Sequence, residues 1–178
     1  MLRRMVVSIL AAATLAAIQE RASRYQLGTA MLELIGADQN TLHEDLTVGW
    51  NTSWAQFTLA GAPSDNGSKY YIVDIPQSDH PRVSAGIRTT YLRQYFHYIH
   101  PGATRIGVTT SDGRVQPVAF ENADGTIVVV MNAPRGGEFT VAKLPAGVYG
   151  TSFTVDGRAG ESLPDVSVGT GATLTATL

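Results

Sequence analysis

The stretch Thr89–Val108, TTYLRQYFHYIHPGATRIGV, decides the fold. Its first half reads as a helix opening at Thr89 or Thr90, with Leu92, Tyr95, Phe96 and Ile99 on one stripe. Pro101-Gly102 stops that helix, because proline cannot continue it and glycine accepts the left-handed turn that closes it. Beyond this point only short strands and turns follow. Plausible strands are Arg105–Thr110, Val115–Glu121, Thr126–Asn132, Glu138–Leu144, Val148–Val155 and Thr173–Leu178. Ser111-Asp112-Gly113, Asp124-Gly125 and Asp156-Gly157 stand between them, and Asp-Gly favours tight hairpin turns because both residues tolerate positive φ. Strands at this spacing predict an antiparallel β-sandwich.

Upstream of the same stretch the grammar differs. Thr29–Ile35 (TAMLELI) reads as a short buried strand interrupted by Glu33. Thr41 with Glu44 three residues later forms a capping box, so a helix is expected there, with Leu42 and Leu46 buried and Gly49 at its end. Trp54–Ala60 and Tyr70–Ile75 read as strands, separated by the turn-rich Gly61–Gly67. Helices alternating with strands indicate β/α units with parallel strands. The whole chain is therefore expected to be α+β.

The N-terminus supports two readings. Arg3 and Arg4 precede an apolar run from Met5 to Ala17, with Thr14 and Ala16 as a small-residue cleavage pair, which is the layout of a secretory signal peptide. Ala11, Leu15, Ile18, Ala22 and Tyr25 also form one helical face, with Gly28 as the stop. On the first reading the chain is secreted or periplasmic; on the second it is cytoplasmic. The run is too short for a comfortable membrane span, which needs about 20 apolar residues.

Composition narrows the function classes. The 178 residues carry 13 basic and 15 acidic side chains, a net charge of −2, and no cysteine. No basic face suggests nucleic acid, and neither a disulfide framework nor thiolate chemistry is available. There is no G-x-S-x-G elbow, P-loop or dinucleotide glycine motif, and no cofactor is expected. His97 and His100 lie three apart on a helix, but no third ligand has suitable spacing, so no metal site is assigned.

Glu33 is the sharpest chemical candidate. A lone carboxylate in an apolar strand is costly to bury, and is better explained at the strand's C-terminal end facing a site. The plainer alternative is that Glu33 pairs with Arg21 or Arg24, or simply faces solvent. Trp50, Trp54, Phe57, Tyr70 and Tyr71 follow it closely, and aromatic faces stack on sugar rings as readily as they fill cores. His43, Asp45 and Gln56 are weaker polar neighbours.

Taken together, TAMLELIG, LHEDLTVG, TSWAQFTLAG, DNGSKYYIVD, TTYLRQYFHYIHPGATRIGV and VAFENADGTIVVVMN resemble the C-terminal end of glycoside hydrolase family 30, over about residues 20–178. Those are retaining enzymes of the large barrel clan, a (β/α)8 barrel with an attached β-sandwich. Residues 1–17 keep their two readings, leader or helix start; the resemblance implies an incomplete (β/α)8 segment (strands seven and eight with their helices) over 18–102 and a β-sandwich over 103–178. It implies Glu33 as catalytic nucleophile and Trp54 at the sugar site, with an oligo- or polysaccharide as partner; Trp50 and Phe57 join them as substrate-binding candidates on the strength of the aromatic stretch alone. A retaining glycosidase needs two carboxylates about 5–5.5 Å apart. The family's acid/base lies in an Asn-Glu pair, and no such pair occurs in this sequence. The chain is thus expected to be a C-terminal fragment, inactive alone; a carbohydrate-binding module without catalysis is the alternative. Two barrel strands cannot close a barrel, so an open sheet edge and self-association are expected.

Overall fold

The computed structural model describes residues 14–75, 80–156 and 158–178. Its contacts divide the chain into two compact units, one up to Leu92 and one from Arg93.

The first unit begins with a helix, α1, at residues 14–24. The Arg3-Arg4 pair and most of the apolar run lie outside the described residues. The helix ends at Gln26, which takes φ 54, while the Leu27 N–H reaches back 2.8 Å to the Ala22 carbonyl. This places the left-handed stop two residues before Gly28, the residue expected to supply it. Strand β1 (Ala30–Met31) pairs in parallel with β2 (Ser53–Trp54), and α2 (Gln39–Thr47) connects them. This is the expected β/α grammar. Strand β1 is nevertheless only two residues long, not the buried run Thr29–Ile35. Leu32, Leu34 and Ile35 are exposed, since β1 has only β2 as a sheet neighbour among the described residues.

The cap of α2 also differs from expectation. Asp38, not Thr41, is the N-cap: its Oδ1 accepts the Asn40 and Thr41 N–H groups at 2.9 and 3.0 Å. The Thr41 hydroxyl is occupied with the same oxygen. An aspartate at this position satisfies two orphan donors at once, so the helix starts earlier.

Strand β3 (Thr58–Gly61) pairs in parallel with β4 (Lys69–Asp74), and β5 (Arg82–Ala85) adds antiparallel to β4. The predicted strand Trp54–Ala60 is thus two short strands. The turn-rich segment between β3 and β4 is tied down by its own polar groups. Lys69, buried, donates its ammonium to the Ala62 and Ser64 carbonyls at 3.1 Å each. Asp65 Oδ2 accepts the Ile87 N–H at 2.7 Å and so caps helix α3 (Ile87–Phe96). The division between the units falls within α3.

The second unit is antiparallel throughout. Strands β6 (Thr104–Ile106), β7 (Gln116–Glu121) and β8 (Ile127–Asn132) form a three-stranded meander. Val118, Ala119 and Phe120 of the central strand are all buried, so both of its faces are covered. Asp124-Gly125 makes the predicted turn, with Gly125 at φ 82. The Thr126 N–H bonds to Asp124 Oδ1 at 2.9 Å and holds that carboxyl below its ordinary range. Ser111-Asp112-Gly113 sits in a wider loop, where Arg114 grips Asp112 at 2.7 Å and holds its carboxyl down to about 2.

Strand β9 (Glu138–Val141) pairs with β12 (Leu174–Thr177), and β10 (Gly147–Val155) pairs with β11 (Arg158–Val168). Asp156, at φ 51, follows β10, and Val155 pairs with Arg158; Gly157 lies outside the described residues. Val118, Phe120, Val130, Leu144, Val168 and the Tyr95 ring supply buried residues. Asn122, also buried, accepts the His100 N–H at 3.0 Å and donates to the Tyr98 carbonyl at 2.9 Å. The IHPGA exit of the helix is thereby fastened to the ENADG turn. This is the β-sandwich anticipated from the sequence, in an α+β chain.

Candidate functional site

In parallel β/α units the C-terminal ends of the strands are where side chains from successive connections converge. The register Ala30↔Ser53 and Met31↔Trp54 brings the C-terminal ends of β1 and β2 side by side. Two peptide hydrogen bonds of 2.9 Å, Thr52 N–H to the Thr29 carbonyl and Ala55 N–H to the Met31 carbonyl, bracket the pair. Glu33 lies two residues beyond the paired Met31, and it is exposed.

Trp54, half-buried, ends β2. Its indole Nε1–H donates to Asp45 Oδ2 at 2.9 Å. Asp45 is only 4% exposed. Burial pushes its carboxyl above the ordinary 3.8; the Trp54 bond acts against that shift, and neighbouring Glu44 adds to it. His43, on the same helix, has a buried Nδ1 with no partner among the described residues, and burial lowers its pKa from 6.5.

The other predicted residues spread from this point. Trp50 stands in the connection from α2 to β2 at φ 53, 54% exposed. Phe57, 60% exposed, lies between β2 and β3. Gln56 is buried, and both atoms of its side-chain amide lack partners among the described residues, while its backbone N–H donates to the Tyr70 hydroxyl at 2.9 Å. Tyr71 is exposed on β4.

Glu33, Asp45 and Trp54 therefore belong to one β1–α2–β2 unit. Trp50 joins it through the Thr29 hydroxyl, which donates to the Gly49 and Trp50 carbonyls at 3.3 Å each. Asp45 was a weak candidate in the sequence. No spacing in the sequence marks it: the contact with Trp54, nine residues later, exists only once α2 has crossed back to β2. Lys69 gave no sequence signal, since a buried lysine looks like any other in a polar stretch.

An open depression of about 440 Å³ lies at the C-terminal ends of β3 and β4, lined by Gly61, Ala62, Pro63, Val73, Asp74 and Ile75. It contains none of the predicted site residues. No group of three histidine, aspartate or glutamate side chains could hold a metal among the described residues. The His97 ring instead stands edge-on to Tyr98 at 4.7 Å. No helix among them is long and apolar enough to cross a membrane.

Residues 102–159 match the glycosyl hydrolase family 30 β-sandwich domain. Among solved structures, the chain is similar to the catalytic domain of the family 30 xylanase C from Talaromyces cellulolyticus, with a TM-score of 0.55 at 19% identity, over 85% of this chain and 40% of that one. It is similar to SrfJ from Salmonella typhimurium, with a TM-score of 0.53 at 16% identity, over 90% of this chain and 37% of that one. An endo-β1,6-glucanase gives a TM-score of 0.50 at 16% identity, with the same coverage of 90% and 37%. The chain thus spans about two fifths of the length of these proteins. No curated protein matches it.

Proposed function

We propose, from the premise that this is a glycoside hydrolase family 30-like chain resembling the C-terminal part of such proteins, that it supplies the nucleophile side of a retaining O-glycosidase. Glu33 is the nucleophile, and Trp54 with Trp50 and Phe57 lines the sugar site. The observation that supports this reading is the position of Glu33, exposed just past the C-terminal end of β1 and beside the end of β2 that carries Trp54.

In this role a Glu33 carboxylate oxygen attacks the anomeric carbon, and the bond to the leaving oxygen breaks as the glycosyl ester forms. The departing oxygen needs a proton from a second carboxyl group. The Asn-Glu pair that would provide it is not among the 178 residues. On its own the chain therefore does not turn over unactivated glycosides.

Two substrates test this. Unactivated β-linked oligosaccharides should be left intact by both the wild-type chain and Glu33→Gln. A 2,4-dinitrophenyl 2-deoxy-2-fluoro-β-glycoside carries a leaving group that departs without protonation, and should leave one glycosyl mass on Glu33 and none on Glu33→Gln. Labelling at another residue would remove the nucleophile assignment. Turnover of β-linked oligosaccharides that Glu33→Gln abolishes would mean that an acid/base is present, in the chain or in a second subunit.

A second reading is a carbohydrate-binding protein without catalysis. It is favoured by the exposure of Trp50, Phe57 and Tyr71. Retardation on polysaccharide gels with no covalent labelling of Glu33 would select it.

A further inference from the structure

We propose that Asp45 is a positioning residue, holding Trp54 through its side chain and the Trp50 segment through its backbone as one aromatic platform for a sugar ring; this rests on the carbohydrate reading above. The two tryptophans are the only ones in the protein. Both are referenced to this single residue. Asp45 Oδ2 accepts the Trp54 Nε1–H at 2.9 Å, and the Asp45 carbonyl accepts the Asn51 N–H at 3.0 Å, one residue past Trp50.

The arrangement leaves little room for either tryptophan segment to shift. Gly49 is buried against the Asp45 carbonyl, where an added Cβ would stand 2.9 Å from that oxygen and 3.3 Å from Asn51 Oδ1. The chain then turns sharply at Trp50, whose φ of 53 is a conformation that costs a non-glycine residue energy. A strained, exposed tryptophan on a clamped connection persists when the surroundings over-determine it, and such strain gathers at ligand sites. For Trp54, the indole edge bearing the N–H is turned to the buried carboxylate while the residue keeps partial exposure. A ring fixed by one edge can offer its face without losing rotamer freedom on binding.

A buried carboxylate with a neutral donor is an expensive way to hold a tryptophan for stability alone, since an apolar side chain would fill the space without desolvating a charge. Geometry is what the hydrogen bond adds. Asp45 acts through the tryptophans and touches no substrate.

The test uses the whole chain. In 15N-labelled protein there are two indole N–H resonances, and Trp50→Phe assigns the one from Trp54. The Trp54 indole proton should exchange slowly in the wild type and in Asp45→Asn, where an acceptor oxygen remains, and about tenfold faster or more in Asp45→Leu. Retention on xylan or β-1,6-glucan gels should weaken about tenfold in Asp45→Leu and be rescued in Asp45→Asn. Unchanged indole exchange and unchanged retention in Asp45→Leu would overturn the inference while leaving carbohydrate binding intact. A wild-type chain retained by neither polysaccharide would overturn the carbohydrate reading and the platform with it. If Asp45→Leu does not fold, Trp54→Phe takes its place, keeping an aromatic ring without the N–H. Lost retention then supports the inference, and unchanged retention overturns it.

Discussion

Gly67 and Gly36 meet backbone to backbone: a Cβ placed on Gly67 would stand 2.7 Å from the Gly36 Cα and 2.9 Å from its nitrogen and carbonyl carbon. Both are in the left-handed region, at φ 74 and φ 91. The contact joins the turn between β3 and β4 to the segment that leaves β1 through Glu33. Two alanine substitutions separate the causes. Gly36→Ala meets open space and should cost only its backbone conformation, about 1–2 kcal/mol. Gly67→Ala adds a steric clash and should cost roughly 2–4 kcal/mol. Urea unfolding of both variants checks the ordering, and equal costs would show that the close approach is immaterial.

Asn122 ties the helix exit to the β7–β8 turn with two hydrogen bonds from a buried side chain. Asn122→Leu should destabilise the chain by about 2–4 kcal/mol, because the His100 N–H and the Tyr98 carbonyl lose their partner together. Chemical denaturation followed by circular dichroism measures this. A loss below about 0.5 kcal/mol would mean that water replaces the amide without penalty.

His43 and Asp45 titrate with opposite effects on stability. The folded-state pKa of His43 is depressed by burial, so its contribution is present above the unfolded value of 6.5 and is lost as pH falls below it. The folded-state pKa of Asp45 is raised by burial, so its contribution is present below 3.8 and is lost as pH rises through the folded value. Between pH 7 and pH 5.5, wild type should therefore lose more stability than His43→Leu. Asp45→Asn should be relatively more stable at neutral pH than in acid. Denaturation midpoints of wild type and His43→Leu at pH 7 and 5.5, and of wild type and Asp45→Asn at pH 7 and below 3.8, give the signs directly.

Leu32, Leu34, Ile35, Phe57, Leu59, Ile75 and Val83 are all exposed in the first unit. Apolar surface of this extent beside short, sparsely paired strands is expected to associate. Sedimentation velocity across a hundredfold concentration range should show a rising weight-average mass. Ile35→Lys, at the most exposed of the residues following Glu33, should reduce it. A constant monomer mass would contradict the expectation.

Legibility varied with how local each signal was. Strands β7 and β8 and the Asp124-Gly125 turn stand within a residue of their expected places, because alternating apolar residues and turn chemistry act over a few neighbours. Strand β11 was missed: Pro164, Gly160 and a run of polar residues argue against a strand. Its register explains the exception. Tyr149 pairs with Val166 and Thr151 with Leu163, so Pro164 and Asp165 together oppose Gly150 in a bulge. There proline forfeits no ladder hydrogen bond. Strand β5, exposed along its length, carried no burial pattern to read. The apolar residues around Glu33 suggested a buried strand, but β1 has too little sheet beside it to bury them. At the site, Glu33 and Trp54 were marked by residue type. The Asp45 contact depends on how α2 crosses back to β2, a distance relation no short motif encodes.

The strand pairings of the second unit also imply an order of assembly. The β6–β7–β8 meander joins neighbours in sequence, and β10 pairs with β11, the next strand in the chain, as a hairpin. The β9–β12 pair must bring together Thr140 and Thr175, 35 residues apart, with that hairpin looped out between them. Loop-closure entropy delays such long-range pairing. In pulse-labelled hydrogen exchange during refolding, the amides of β7 and β8 should be protected first. Those of β12 should follow last, making the final four-residue strand the rate-limiting latch of the sandwich.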